Sequence, residues 1–297
     1  MNLTLDGVLA FPATPMDNAG DRLDLNAYES LLGWLSEGGV HGIIPLGSTG
    51  EFAYLDPDER HSIAEATVKT LSGQVPAIIG VSAVTTRDAV AYARHAQDIG
   101  ADGVMLSIPT YYALGAEQVL AHVQAVASST ELPLILYNNP FTSQVDLTTD
   151  LLEKLVENPT LVAVKEATMD VNRIPLIQQT VGDRLEVLGG GFDPYALPAF
   201  VAGARGWTTG MANLVPRLCV QLHQAAVQDR DLDRAQQLDR ALAPLANLLV
   251  NNNLSAAVKC GLRLIGRPAG APRPPLQPVG PEVEEQLRTA LAALDQA

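Results

Sequence analysis

Eight short apolar runs, each followed by a segment of helical periodicity, set the terms for what this chain can fold into. The runs cover residues 7–12, 42–46, 76–81, 103–108, 132–137, 161–165, 185–188 and 206–209. They are rich in Val, Ile and Leu with little polar alternation, so they read as strands buried on both faces. Their starts lie roughly 20 to 36 residues apart, the length of a strand plus a crossover helix. Helix starts are well marked. Asp56-Pro57-Asp58-Glu59 supplies an N-cap, a proline for the first helical position and early acids. Thr86-Arg87-Asp88 opens another helix, and Gly100 ends it. Eight such repeats predict an α/β chain, a (β/α)8 TIM barrel with a C-terminal helical extension. A doubly wound open sheet competes, but it usually has fewer strands, and no G-x-G-x-x-G follows the first run. The barrel is expected to occupy residues 1–225. The extension, 226–297, holds helical segments at 231–250, 254–265 and 282–294, the last two joined by a proline-rich crossing at 267–281.

Bulk properties narrow the function classes. The 297 residues suffice for a large core. A net charge of −14 argues against nucleic-acid or anionic-membrane partners. Cys219 and Cys260 have no metal-ligand spacing and imply no disulfide framework, which suits a reducing cytosol. The first residues lack a basic n-region, and no apolar run reaches about 18 residues. A cytoplasmic location is the expectation.

Only four lysines occur. Lys69, Lys154 and Lys259 fall in helical segments, where a lysine on a solvated face is ordinary. Lys165 ends the aliphatic run Leu161-Val162-Ala163-Val164. Burying an ammonium is costly, and the usual response is a lowered pKa. A neutral amine is a nucleophile that forms a Schiff base with a carbonyl substrate. The plainer reading of Lys165 is a strand-end lysine that snorkels to water or pairs with Glu166.

In a barrel, function gathers at the C-terminal ends of the strands. Those ends carry Gly47-Ser48-Thr49-Gly50-Glu51 after the second run, Thr110-Tyr111-Tyr112 after the fourth and Tyr137-Asn138-Asn139-Pro140 after the fifth. Lys165 ends the sixth, and Gly189-Gly190-Gly191-Phe192-Asp193 follows the seventh. Tyr137 and Lys165 end neighbouring strands and can face one pocket. The 47–51 turn offers hydroxyls and backbone N–H groups to a carboxylate. Singly, each piece has an ordinary structural reading: a turn, packing tyrosines, or glycines that permit close backbone approach. Together they supply an amine nucleophile, a phenol for proton transfer and an anion cradle.

These motifs resemble the dihydrodipicolinate synthase / N-acetylneuraminate lyase family: Gly47-Ser48-Thr49-Gly50-Glu51, Tyr111-Tyr112, Leu136-Tyr137-Asn138-Asn139-Pro140 and Val164-Lys165-Glu166-Ala167-Thr168. The resemblance runs over nearly the whole length. It implies a Schiff base between Lys165 and C2 of pyruvate or another 2-oxo acid, with proton relay by Tyr137. Ser48 and Thr49 would bind the carboxylate. Ser48 would also link Tyr137 to Tyr112, a residue that in this family often comes from a neighbouring subunit. Gly191 would leave room at the mouth, and Asp193, Thr142 and Thr208 would contact substrate. It implies no metal or organic cofactor beyond the covalent adduct, and a homotetramer built as a dimer of dimers.

Some positions depart from the synthase pattern. Thr142 stands where that branch carries an arginine for the carboxylate of aspartate semialdehyde, and threonine does not replace a bidentate guanidinium. Ser48 is more typical of the lyase branch. Asp193 matches a lyase-branch acid that touches substrate hydroxyls, and reads equally as a helix N-cap before Pro194. Met169 replaces a glycine after the lysine motif. The expectation is a Schiff-base lyase or aldolase acting on pyruvate or a hydroxylated 2-oxo acid. The alternatives are a 4-hydroxy-tetrahydrodipicolinate synthase, a dehydratase or deaminase of a sugar-acid or hydroxyproline-derived substrate, and a non-catalytic 2-oxo acid binding protein.

Overall fold

The computed structural model describes residues 3, 5–190 and 193–294. The eight strands are β1 (Gly7–Ala10), β2 (Gly42–Ile43), β3 (Ile78–Gly80), β4 (Gly103–Leu106), β5 (Leu134–Asn138), β6 (Leu161–Glu166), β7 (Glu186–Gly189) and β8 (Gly206–Thr209). All pair in parallel, in the order β2-β1-β8-β7-β6-β5-β4-β3. A single parallel bridge, Ile43 to Ala77, joins the two ends and makes the ring a barrel. The helices in chain order are α1 (Leu25–Glu37), α2 (Pro57–Leu71), α3 (Thr86–Asp98), α4 (Ala116–Ala127), α5 (Pro140–Ser143), α6 (Thr149–Leu155), α7 (Arg173–Val181), α8 (Ala196–Val201) and α9 (Pro216–His223). The extension adds α10 (Leu232–Asn251), α11 (Leu254–Leu264) and α12 (Pro281–Leu294). No helix among the described residues is long and apolar enough to cross a membrane.

Several strands are shorter than their apolar runs. The ladder of β1 stops before Pro12 and that of β2 before Pro45, because proline has no N–H to donate. Leu46 then turns into the left-handed region, φ 59°, and sends the chain into the 47–51 turn. The start of α2 is as expected: Asp56 accepts from Glu59 N at 2.8 Å, and Glu59 reciprocates to Asp56 N at 3.0 Å. The cap of α3 is Thr85, one residue before the expected opening, and it accepts from Asp88 N.

Two apolar layers follow from the period of two along each strand. Leu9, Phe11, Ile44, Ile78, Met105, Ile135, Tyr137, Ala163 and Leu188 fill the barrel interior. Their neighbours Val8, Ala10, Leu134, Leu136 and Val164 pack outward against the helices. Lys165 lies two residues beyond inward-facing Ala163, so the same period aims its side chain into the barrel. Its neighbour Glu166 points the other way: it accepts from Asn138 Nδ2 at 3.0 Å and from Thr168 N at 2.8 Å, and Arg173 Nε stands 3.5 Å away. That arrangement removes the reading in which Lys165 pairs with Glu166.

Lys259 corrects an expectation. It does not sit on a solvated face. It is 2% exposed, and its Nζ lies 2.7 Å from Glu51 Oε1. The stretch of α11 from Ser255 to Leu262 is buried all round, wedged between the barrel mouth and the other helices of the extension. A helix in that position has no solvated face on which to display a lysine.

Candidate active site

At the C-terminal end of the barrel, Phe11, Ser48, Thr49, Tyr137, Lys165, Asp193, Thr208, Gly210, Val250 and Leu254 line a cavity of about 70 Å³. β5 and β6 place Tyr137 directly beside Lys165 in the ladder. The lysine Nζ stands 3.5 Å from the centre of the Tyr137 ring and 4.2 Å from that of Phe11. Lys165 is 5% exposed. Burial pushes its amine below the ordinary lysine range, and the opposing pull of Tyr137 and Asp193 does not cancel that. Burial by itself would raise the Tyr137 phenol. The Lys165 charge and hydrogen bonds with Asn139, Lys165 and Ser48 outweigh it, and the phenol ends below its usual value. Both groups thus lose proton affinity relative to their free forms, and they stand within reach of one another for proton transfer.

Asp193 sits on a short turn after β7 and is fully buried within the site. Desolvation raises its carboxyl from 3.8 to about 6, against the hydrogen bonds of Thr209, Met211 and Trp207 and the Lys165 charge. Asp193 lines the cavity at the first residue of the short helical turn Asp193–Tyr195, and its carboxyl bonds to the end of β8. Thr208 lines the same wall, and its hydroxyl donates to the Gly189 carbonyl at 3.1 Å.

Two glycines make room for reacting groups. A Cβ on Gly190 would stand 2.6 Å from Lys165 Cε and 2.5 Å from Thr208 Oγ1. A Cβ on Gly210 would stand 2.9 Å from Thr49 Oγ1. Met169 keeps the left-handed backbone expected of the glycine it replaces, with φ 63°. That conformation costs a non-glycine residue about 1–2 kcal/mol.

The structure brings together Lys165, Tyr137, Ser48, Thr49, Asp193 and Thr208. It does not bring in Tyr112, which is 75% exposed on the loop after β4 and stacks edge-on against Tyr111. Nor does it bring in Thr142, whose hydroxyl turns back to the Asn139 carbonyl at 3.5 Å within α5. Gly191 lies outside the described residues. Among the described residues, no group of three or more His, Cys, Asp or Glu side chains is placed to hold a metal ion.

Sequence reasoning missed five contributors, among them Gly210, which follows the end of β8. Phe11 was within reach, since it follows Leu9 at the inward period of β1. Asn139 donates from Nδ2 to the Tyr137 hydroxyl at 2.9 Å, and its place two residues beyond an inward tyrosine was the available signal. Val250 and Leu254 come from the extension, and no local pattern announces that they roof the cavity.

The model of the dihydrodipicolinate synthetase family matches residues 4–294. A 4-hydroxy-tetrahydrodipicolinate synthase of Acidiphilium cryptum (strain JF-5) is 34% identical over 288 residues, 97% of this chain and 98% of that one. A second, of Rhizobium meliloti, is 33% identical over 96% of this chain and 97% of the relative. The solved 4-hydroxy-tetrahydrodipicolinate synthase of Methylacidiphilum fumariolicum SolV superposes with a TM-score of 0.94 at 30% identity, covering 99% of this chain and 97% of that one. By the family match and by these near full-length relatives, the chain belongs to the dihydrodipicolinate synthetase family.

Proposed function

We propose that Lys165 is the amine that forms a Schiff base with C2 of pyruvate or a hydroxylated 2-oxo acid, in a site where Tyr137 moves the protons and the 47–51 turn holds the carboxylate. The chain is an enzyme of the class I lyase and aldolase type, as its family membership entails. One observation carries the assignment of roles: an amine buried at the end of β6, depressed in basicity, 3.5 Å from the ring of a phenol in a small chamber whose walls include Phe11, Val250 and Leu254.

The chemistry runs as follows. The neutral Lys165 amine attacks the ketone carbon, and Tyr137 protonates the oxygen that becomes the carbinolamine hydroxyl. The attacking nitrogen gives up a proton that recharges Tyr137; Tyr137 then donates it to the hydroxyl, which leaves as water, and a cationic iminium remains beside the phenolate. The iminium draws electron density from C3, so loss of a C3 proton, or cleavage of C3–C4, gives a neutral enamine. The enamine carbon then attacks an aldehyde, or takes up a proton, and hydrolysis restores the lysine. A dry chamber favours the neutral amine at the first step. The covalent adduct supplies the electron sink, so the proposal needs no external cofactor.

Three observations bear on the second substrate. The relatives named above are synthases, which favours condensation of pyruvate with aspartate semialdehyde. Against this, Thr142 supplies no guanidinium and lies away from the cavity. Asp193 in the wall supports a hydroxylated chain beyond C3, since a carboxylate accepts hydrogen bonds from hydroxyls and repels a second carboxylate. We therefore put a hydroxylated 2-oxo acid first and the synthase reaction second. Tyr112, exposed on this single chain, fits a contribution across a subunit boundary, in a homotetramer working in the cytoplasm.

Proton exchange tests the enamine without a second substrate. Pyruvate incubated with the enzyme in deuterated water should lose its methyl proton signal in step with enzyme concentration. Exchange no faster than in buffer would reject the enamine.

A further inference from the structure

Glu51 and Lys259 form a buried ion pair that the chemistry above does not use. Glu51 is 3% exposed and closes the turn whose Ser48 and Thr49 line the cavity. Its Oε1 lies 2.7 Å from Lys259 Nζ and accepts from Ser255 Oγ at 2.7 Å; its Oε2 accepts from Arg273 N at 2.6 Å. Lys259 donates again to the Ala271 carbonyl at 2.9 Å. Every partner of this carboxylate comes from the C-terminal extension, with Ser255 204 residues away in sequence.

The extension and the barrel both hold the turn's backbone. Ser255 Oγ is 3.1 Å from the Thr49 carbonyl oxygen, within reach of the same donor proton. Thr14 Oγ1 donates to the Gly50 carbonyl at 2.7 Å. Leu46 and Glu51, at the two ends of the turn, both take left-handed backbone angles, φ 59° and 58°. Non-glycine residues hold such angles only where the surroundings fix them. A buried ion pair is a poor source of net stability compared with apolar residues of the same shape, whereas losing one partner is strongly destabilising. What this pair supplies is placement.

We propose that Glu51, Lys259 and Ser255 form a clamp through which the C-terminal extension fixes the 47–51 turn, and so sets the affinity for the carboxylate of the 2-oxo acid. These are positioning residues: none lines the cavity, and they act through Ser48 and Thr49. The proposal rests on the reading of that turn as the carboxylate cradle.

The test compares pyruvate with pyruvamide, a ketone of similar size without the charge. Each is trapped on Lys165 with borohydride, and the half-saturating concentration is read by intact mass. The variants are Ser255→Ala, which removes the bridge and leaves no charge stranded, and Glu51→Gln, the harsher change because it leaves the Lys259 ammonium buried. Ser255→Ala should raise the half-saturating pyruvate about three- to tenfold, the loss of one hydrogen bond's worth of ordering. It should move pyruvamide less than about twofold and leave saturated labelling unchanged. Glu51→Gln should go further in the same direction, and Ser255→Ala carries the test alone if that variant does not fold. Equal shifts for the two ketones, or unshifted pyruvate with a lowered Tm, would overturn the clamp and leave the Schiff-base reading standing. No adduct on the wild-type protein would overturn both.

Discussion

Replacing Asp193 with asparagine should stabilise the unliganded protein at pH 8 and do far less at pH 4.5. The carboxyl titrates near 6 in the folded chain, because it is buried, against 3.8 as the reference for an unfolded one. The folded state therefore holds a proton that the unfolded state releases, and stability falls as pH rises through that window. At about 1.4 kcal/mol for each tenfold change in proton affinity, the full cost above pH 6 is about 3 kcal/mol. At pH 4.5 the same linkage leaves about 1 kcal/mol. Asparagine keeps an acceptor for Thr209 and for Met211 N and removes the charge, so the variant should escape the loss. For a chain of this length, about 2 kcal/mol of pH-dependent difference corresponds to roughly 3 °C in Tm. Scanning calorimetry of both proteins at the two pH values reads it directly. A Tm difference between variant and wild type that does not change with pH would show that burial does not hold the Asp193 carboxyl protonated in the folded chain.

Three further outcomes follow from the same geometry. Tyr137→Phe should keep the fold and lower turnover about 10²- to 10⁴-fold, the usual contribution of a positioned proton-transfer group; unchanged turnover would remove the phenol from the mechanism. Gly190→Ala should slow trapping of pyruvate on Lys165 by about tenfold or more, because the new methyl would stand inside van der Waals contact with the lysine Cε and Thr208 Oγ1 and force the buried lysine to move; wild-type trapping rates would show that the lysine chain yields freely. Thr142→Arg should raise condensation of pyruvate with aspartate semialdehyde, measured with the downstream reductase, by about tenfold, as a charge-assisted bond to the substrate carboxylate would. Robust synthase turnover already present in the wild type would mean that Thr142 does not oppose that reaction.

The barrel was legible because its signals are local and repeated. Eight apolar runs at the spacing of a βα unit left few topologies open, and the period of two along β5 and β6 was enough to aim Tyr137 and Lys165 the same way. Strand lengths were less legible, since hydrophobicity continues past the point where Pro12 and Pro45 end the hydrogen-bond ladder. Lys259 was misread for a physical reason. A lysine in a helical segment looks solvated until the helix is known to be buried on every side, and its partner Glu51 lies 208 residues upstream, too far for any local pattern to pair them. Val250 and Leu254 share that difficulty: a residue that roofs a cavity from a distant helix carries no mark of it in its neighbours. Tyr112 and Thr142 show the limit of motif transfer in the other direction. Both stand at the expected positions in sequence, and in the single chain neither reaches the cavity that holds Lys165.

The central claim, that Lys165 is the covalent nucleophile, is tested most directly by incubating the protein with pyruvate and borohydride and mapping the modified peptide by mass spectrometry. One reduced pyruvyl adduct per chain is expected, on Lys165, with Lys69, Lys154 and Lys259 unmodified and no adduct in Lys165→Ala. Labelling on another lysine, or an undiminished adduct in Lys165→Ala, would contradict it.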